Sequence, residues 1–422
     1  KAQCVLKVFD IPKFRKRVTR FSICTKYLQQ RRYSSYLDLT FDLEALTPKV
    51  ISSPDRNKYI QLWPCVPRKH RFLSSADSIL DLPTYSYAPF PELLDWSSDN
   101  ILVAALGRHY HKWSWRTQSQ LSMGISDFNI QCCKFDPKGE RLLLGTEKNI
   151  VEIHNTEHSK RVEQSSCLCG TRCSITTLDW SPTGNSYITG CSQGMVVSFT
   201  RDASRISYNN VWNESLVLIV RVSPDARYVA VATINDSYVM LMTWPHLQLV
   251  FTLKSEWTVK ALTWHPWRSA LLGVGEVTSD IHTHIWMWDA PTGHVRKESV
   301  YRENCCLDTM LFSKRTGELV LGLWNTDRET SVTTRAQLMV MSDEDNVVDQ
   351  WGEGIPGLDR IKTMLFSPDE SKLAAGTAGE DLIIYNFLPE EREDKRKKHK
   401  GCKQFSAMPV YLDKTSGHWA LR

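Results

Sequence analysis

A unit of about forty residues recurs through most of this chain, and a repeat of that period restricts the possible folds more than any other feature. Its clearest copy runs from Ala261 to Asp289, ALTWHPWRSALLGVGEVTSDIHTHIWMWD. An apolar/polar alternation ends at Trp264, a turn falls at His265-Pro266, and an apolar run passes through Leu271 and Leu272. Glycines break that run, and a third closes on Ile285-Trp286-Met287-Trp288-Asp289. The pattern reads strand, turn, strand, turn, strand. A sheet of this size cannot cover both of its faces alone, so it must stack against copies of itself, as the blades of a β-propeller do.

Weaker copies are present. Aligned on the residue before the first turn, they are Leu94-Asp95-Trp96-Ser97-Ser98, Lys134-Phe135-Asp136-Pro137, Leu178-Asp179-Trp180-Ser181-Pro182, Arg221-Val222-Ser223-Pro224, Trp264-His265-Pro266, Leu311-Phe312-Ser313-Lys314 and Leu365-Phe366-Ser367-Pro368. The anchors at 96, 135, 180, 222, 264, 312 and 366 are separated by 39, 45, 42, 42, 48 and 54 residues, close to the WD40 period with two loop insertions in the later units. Third strands are expected to end near Trp115, Ile153, Phe199, Met242, Trp288, Met341 and Tyr385, and only Trp288 is followed by the literal Asp of a Trp-Asp pair. The expected fold is all-β, a seven-bladed WD40 propeller over residues 76–388.

The ends of the chain do not follow the repeat. Residues 1–36 carry Lys1, Lys7, Lys13, Arg15, Lys16, Arg17, Arg20, Lys26, Arg31 and Arg32 against one acid, Asp10. Residues 37–75 lack strand periodicity and hold Pro48, Pro54, Pro64 and Pro67, so residues 1–75 read as a flexible basic arm. Ser78-Ile79-Leu80-Asp81-Leu82 reads as a lone strand. The seventh unit supplies three strands and then runs into the charged linker Pro389 to Lys403, so strand 78–82 is expected to complete that blade and leave no open edge. Residues 389–422 form a charged linker and an apolar-dotted tail. Such a charged run is most often just solvated, and Lys395 to Lys400 also suit a nuclear localisation patch; cytoplasm and nucleus are the expected locations.

Several function classes recede. No run of 18 apolar residues and no N-terminal apolar segment occurs, so neither a membrane span nor a secretory signal is expected. The net charge of +5 is small, and basic and aromatic residues do not interleave on any one repeat, which argues against nucleic acid. The 12 cysteines fall within expected strands or in pairs such as Cys132-Cys133 and Cys305-Cys306, whose side chains point to opposite faces; reduced thiols fit better than disulfides. Cys167, Cys169 and Cys173 form a cluster, but no fourth ligand is evident and the Cys-x2-Cys spacing is missing, so no metal is expected. His282 and His284 read as a surface pair. No Walker loop, Gly-x-Ser-x-Gly, His-Glu-x-x-His or kinase signature is present, and no cofactor or catalytic residue is expected. What remains is a binding platform, expected as a monomer.

Four motifs in order carry a resemblance. They are Arg71-Phe72-Leu73-x5-Ile79-Leu80-Asp81-Leu82-Pro83, Leu93 to Leu106 (LLDWSSDNILVAAL), Val259 to Trp267 (VKALTWHPW), and Thr278-Ser279-Asp280-x-His282. Together they resemble the fizzy family of activators of the anaphase-promoting complex, over residues 71–388. The resemblance implies a substrate adaptor of that ubiquitin ligase, with the ligase subunits and degron-bearing cell-cycle proteins such as cyclins as partners. The other reading is a propeller scaffold that has lost ligase docking.

The family docks through an N-terminal C-box and a C-terminal Ile-Arg. The last two residues here are Leu421 and Arg422, and the C-box is degenerate, the better candidate being Arg20, Phe21 and Ile23 in Arg20 to Lys26 and the other Asp55 to Ile60. The resemblance further implies a destruction-box site at Asp95 and Glu380, two carboxylates for one Arg. A KEN-type site falls at Asn235, Asp236, Thr278 and Arg360, with Ser237 and Cys306 where the family usually has amides.

Overall fold

The computed structural model describes residues 62–389 apart from short stretches at 74–75, 86–89, 91, 171–172, 212–214, 235–237, 326–335 and 353–358. Its strands form seven antiparallel sheets. The first strands are Leu94–Trp96, Ile130–Phe135, Ile175–Trp180, Val217–Val222, Thr258–Trp264, Cys305–Phe312 and Ile361–Phe366. Each ends on its anchor residue, and each touches the first strand of the next sheet until Ile361–Phe366 meets Leu94–Trp96. The result is the seven-bladed propeller the repeat implies.

The anchors recur because each does two jobs. The aromatic or apolar side chain fills the seam between blades: Trp264 and Trp288 of blade five share one cluster with Ile219 and Leu241 of blade four. A tryptophan there also has an indole N–H to satisfy. Trp264 Nε1 donates to the Arg221 carbonyl at 2.8 Å and Trp180 Nε1 to the Lys134 carbonyl at 3.4 Å, each reaching a neighbouring blade. The residue after the anchor is buried in all seven blades, as Ser97, Asp136, Ser181, Ser223, His265, Ser313 or Ser367. Its backbone N–H bonds the carbonyl at the start of the second strand, as Ser223 does to Tyr228 at 2.9 Å and Ser367 to Lys372 at 3.0 Å. Serine is common there because its hydroxyl accepts the returning N–H: Tyr228 N–H to Ser223 Oγ and Lys372 N–H to Ser367 Oγ, both at 3.0 Å.

Ring closure joins the two ends of the described chain. Ser78–Asp81 pairs antiparallel with Asp381–Asn386, in register Ser78 with Ile384 through Asp81 with Asp381. The fourth strand of blade seven therefore precedes blade one in sequence.

The segment before that strand departs from the expectation of a free arm up to residue 75. Residues 62–73 lie against blades five, six and seven. Leu62 and Trp63 are buried with Phe312 and Met341, and Leu62 N–H bonds Asp343 Oδ1 at 3.0 Å. The Pro64 carbonyl meets His265 Nε2 at 2.7 Å. The Arg68 side chain is 1% exposed and makes ion pairs with Glu318 at 2.8 Å and Asp349 at 3.2 Å, whose side chains are fully buried. Its guanidinium lies 4.1 Å over the Phe387 ring and donates to the Phe387 carbonyl at 3.0 Å. The Asp349 carboxylate also takes the N–H groups of Phe72 and Leu73. Pro64 and Pro67 break no element here; they suit an extended strap, and the hydrogen bonds just named run to distant parts of the chain.

Candidate functional site

The channel at the centre of the ring is built from the first strands, and its lining follows from a recurring irregularity. In six of the seven first strands the ladder slips by one residue, at Gln131, Thr176, Leu218, Lys260, Asp308 and Lys362. A bulge re-aims a side chain. Each bulged residue stands four positions before its anchor, and Glu92 holds the same position in blade one. Leu218, Lys260, Asp308 and Lys362, together with Glu92, Arg221 and Arg360, line a cavity of about 460 Å³. Ile234 and Ala378, from turns between second and third strands, border it as well, so the cavity opens at that end of the ring.

Its charge is uneven. Arg221, Lys260, Arg360 and Lys362 face Glu92 and Asp308, two cations in excess. Glu92 crosses the channel from blade one: its carboxylate accepts from Thr177 Oγ1 of blade three at 2.8 Å and from Arg221 of blade four at 2.5 Å. Arg360 makes a two-point pair with Asp308, Nε to Oδ2 at 2.8 Å and Nη2 to Oδ1, which with desolvation opposing raises its pKa. Burial lowers the pKa of Lys362, and the neighbouring Arg360 adds to this.

A second belt lies one residue before the anchors, where Asp95, Lys134, Asp179 and Arg221 alternate in sign through blades one to four. Asp95 accepts from the Phe135 N–H at 2.7 Å and from Lys134 Nζ at 3.2 Å. Asp179 repeats the first contact with the Val222 N–H at 2.7 Å. Asp95 is the main cause that raises the Lys134 pKa, while burial raises that of Asp179.

The residues singled out from sequence distribute unequally over this geometry. Asp95 is buried, and both of its carboxylate oxygens are engaged by blade two; it sits one residue from the turn between first and second strands. Glu380 is half-buried at a left-handed φ of 68° in the turn between second and third strands of blade seven, and its carbonyl takes the Leu82 N–H. The two acids lie toward opposite ends of adjacent blades, so they do not frame one groove, and Asp95 holds blades together instead. Thr278 folds its own loop: its Oγ1 accepts the His282 N–H at 3.0 Å. Arg360 is in the cavity. Asn235, Asp236, Arg20, Phe21, Ile23, Leu421 and Arg422 lie outside the described residues.

His282 and His284 are engaged separately, His282 Nδ1 by the Asn304 N–H at 2.9 Å and His284 Nε2 by Ser299 Oγ at 2.7 Å. Sequence reasoning missed Lys260, Asp308, Lys362 and Glu92. The fixed offset from the anchors was the available signal, but an alternating strand would aim Lys260, Asp308 and Lys362 away from the channel, and the bulge is what returns them; Glu92 stands just before its strand, where no bulge is needed.

No protein-family model matches the chain. Protein cortex of the butterfly Heliconius erato is 55% identical over 407 residues, covering 94% of this chain and 88% of the relative. The chain belongs to the cortex proteins, within the fizzy family. A more distant relative, "Cell division cycle 20.5, cofactor of APC complex" of Arabidopsis thaliana, is 22% identical over 367 residues, 83% of this chain and 76% of that one. Among solved structures, a chain of the "Crystal Structure of Mitotic Checkpoint Complex" matches with a TM-score of 0.61 at 21% identity, covering 81% of this chain and 98% of that chain. The cortex fold is thus a seven-bladed WD40 propeller, shared with that chain.

Proposed function

We propose that this cortex protein is a non-catalytic substrate adaptor of the anaphase-promoting complex, taking degron-bearing cell-cycle proteins such as cyclins on its propeller. The observation that carries the reading is the channel mouth. Bulged Lys260 and Lys362 and the paired Arg360 and Asp308 gather there around a cavity large enough for two or three side chains of an extended peptide. Two surplus cations suit the Glu of a Lys-Glu-Asn segment, and Asp308 suits its Lys. Glu380, on the same end of the ring, is the acid assigned to the Arg of an Arg-x-x-Leu segment.

Fluorescence anisotropy with both peptides tests this. Arg360→Ala and Lys260→Ala should each weaken the Lys-Glu-Asn peptide about tenfold, as expected for loss of one charge-assisted contact. Glu380→Ala should weaken the Arg-x-x-Leu peptide alone. Shifts below about twofold in all three, with melting temperatures unchanged, would remove the channel mouth as the degron site.

Docking on the ligase is assigned to Arg20, Phe21 and Ile23 and to Leu421 and Arg422, which offer an apolar side chain and a guanidinium. Removing Leu421 and Arg422 should reduce co-purification with the ligase at least about tenfold, in line with the loss of one or two charge-assisted bonds, and leave the melting temperature in place. Undiminished co-purification would count against the docking role.

A further inference from the structure

Four cysteines from two separate parts of blade three's surroundings meet at one point. Cys167, Cys169 and Cys173 lie on the connection from Lys160–Ser166 to Ile175–Trp180, and Cys191 ends the strand Ser186–Cys191. Their four Sγ atoms all lie within 4.8 Å of one another, with Cys169 and Cys191 at 3.8 Å. A disulfide needs about 2.05 Å between sulfurs. Sulfurs placed tetrahedrally at about 2.3 Å from a zinc ion are about 3.8 Å apart, the distance between Cys169 and Cys191, and the other pairs stay within 4.8 Å.

The surroundings fit a metal as well as the sulfurs do. Cys167, Cys173 and Cys191 are buried, and Cys169 is half-buried. Backbone N–H groups point at the sulfurs: those of Gln193 and Met195 at Cys191 Sγ, at 3.4 and 3.3 Å, and that of Cys169 at Cys167 Sγ. Such donors stabilise thiolates and fix the ligands of a metal centre from outside. Hydrogen bonds from Cys173 and Cys191 hold the Cys167 thiol well below its usual range. The same bonds to Cys167 push Cys173 and Cys191 up, and burial does so for Cys169.

We propose that Cys167, Cys169, Cys173 and Cys191 bind one zinc ion in a closed, structural site. Four thiolates fill the tetrahedron and leave no position for water, so the ion holds structure and does no chemistry. On binding, the remaining thiols release their protons to solvent and no electron moves. The sequence hid the site because its fourth ligand lies eighteen residues beyond the third, at a strand end, and is brought in by the pairing of Ile175 with Cys191. The ion would tie the connection between blades two and three to the turn after the second strand of blade three, on the same end of the ring as the channel mouth.

Metal analysis of the full-length chain, expressed with zinc and purified without chelators, tests the site directly. About one zinc per chain is expected, released by a thiol reagent, and cobalt exchange should give the absorption of a tetrahedral tetrathiolate. Cys191→Ser should abolish both signals, and Cys305→Ser, whose residue is not in the cluster, should retain them. Wild-type chain holding less than about a tenth of an equivalent of zinc and giving no cobalt spectrum overturns the proposal. An intact mass lowered by two disulfides under non-reducing conditions does the same. Should Cys191→Ser fail to fold, the wild-type metal content and cobalt spectrum by themselves support or overturn the site.

Discussion

Glu276 carries the most telling charge in blade five. It is 1% exposed, and among the described residues its Oε1 has no hydrogen-bond partner. Burial pushes its carboxyl up to about 7, with Ser255 opposing. The unfolded chain ionises this group near 4.5, so below that pH both states hold the proton and nothing is lost. Between 4.5 and about 7 the unfolded state gives up its proton first, and the folded state loses stability as pH rises. Glu276→Gln should therefore match the natural chain near pH 4.5 and exceed it near pH 8 by on the order of 2 kcal/mol in urea unfolding. A difference that does not widen with pH would contradict this. Asp95 teaches a related lesson at the same scale. An acid at a strand end, within a motif that resembles the fizzy family, reads from sequence as a ligand for a guanidinium, yet the neighbouring blade supplies its partners, Lys134 and the Phe135 N–H.

At the level of elements, the blades were legible because each anchor is followed by a buried turn residue and preceded by an apolar run, a local pattern that survives the loss of most Trp-Asp pairs. The strap at 62–73 was not legible. It has no period, its prolines look like breakers, and Arg68 sits in a stretch whose other charges face solvent. Contacts more than 200 residues away give it a place, as when Pro64 meets His265 and Arg68 reaches Glu318 and Asp349. The channel lining fell between these cases: its residues sit at a fixed offset from legible anchors, but the bulges that expose them leave no mark in composition. Arg68→Ala would strand two buried carboxylates, so a loss of about 3–5 kcal/mol is expected in chemical denaturation. Arg68→Lys should recover little of it, because an ammonium cannot fork between Glu318 and Asp349 while lying over Phe387. A loss under about 1 kcal/mol for Arg68→Ala would mean the strap is held by its apolar residues alone.

For the whole molecule, closure decides stability. A chain starting at residue 60 keeps the strap and the closing strand and should fold as the full protein does. One starting at residue 84 loses both, exposes the third strand of blade seven, and should be insoluble or lack a cooperative melting transition. Equal solubility and melting of the two would show that three strands suffice for the last blade. The pairing of Ser78–Asp81 with Asp381–Asn386 also sets a timetable. During synthesis the first of these strands leaves the ribosome about three hundred residues ahead of its partner, a wait on the order of 15–60 s at typical elongation rates. Through that interval six blades can stack while the ring stays open at both edges, so the nascent protein is most in need of a chaperone just before its last blade emerges.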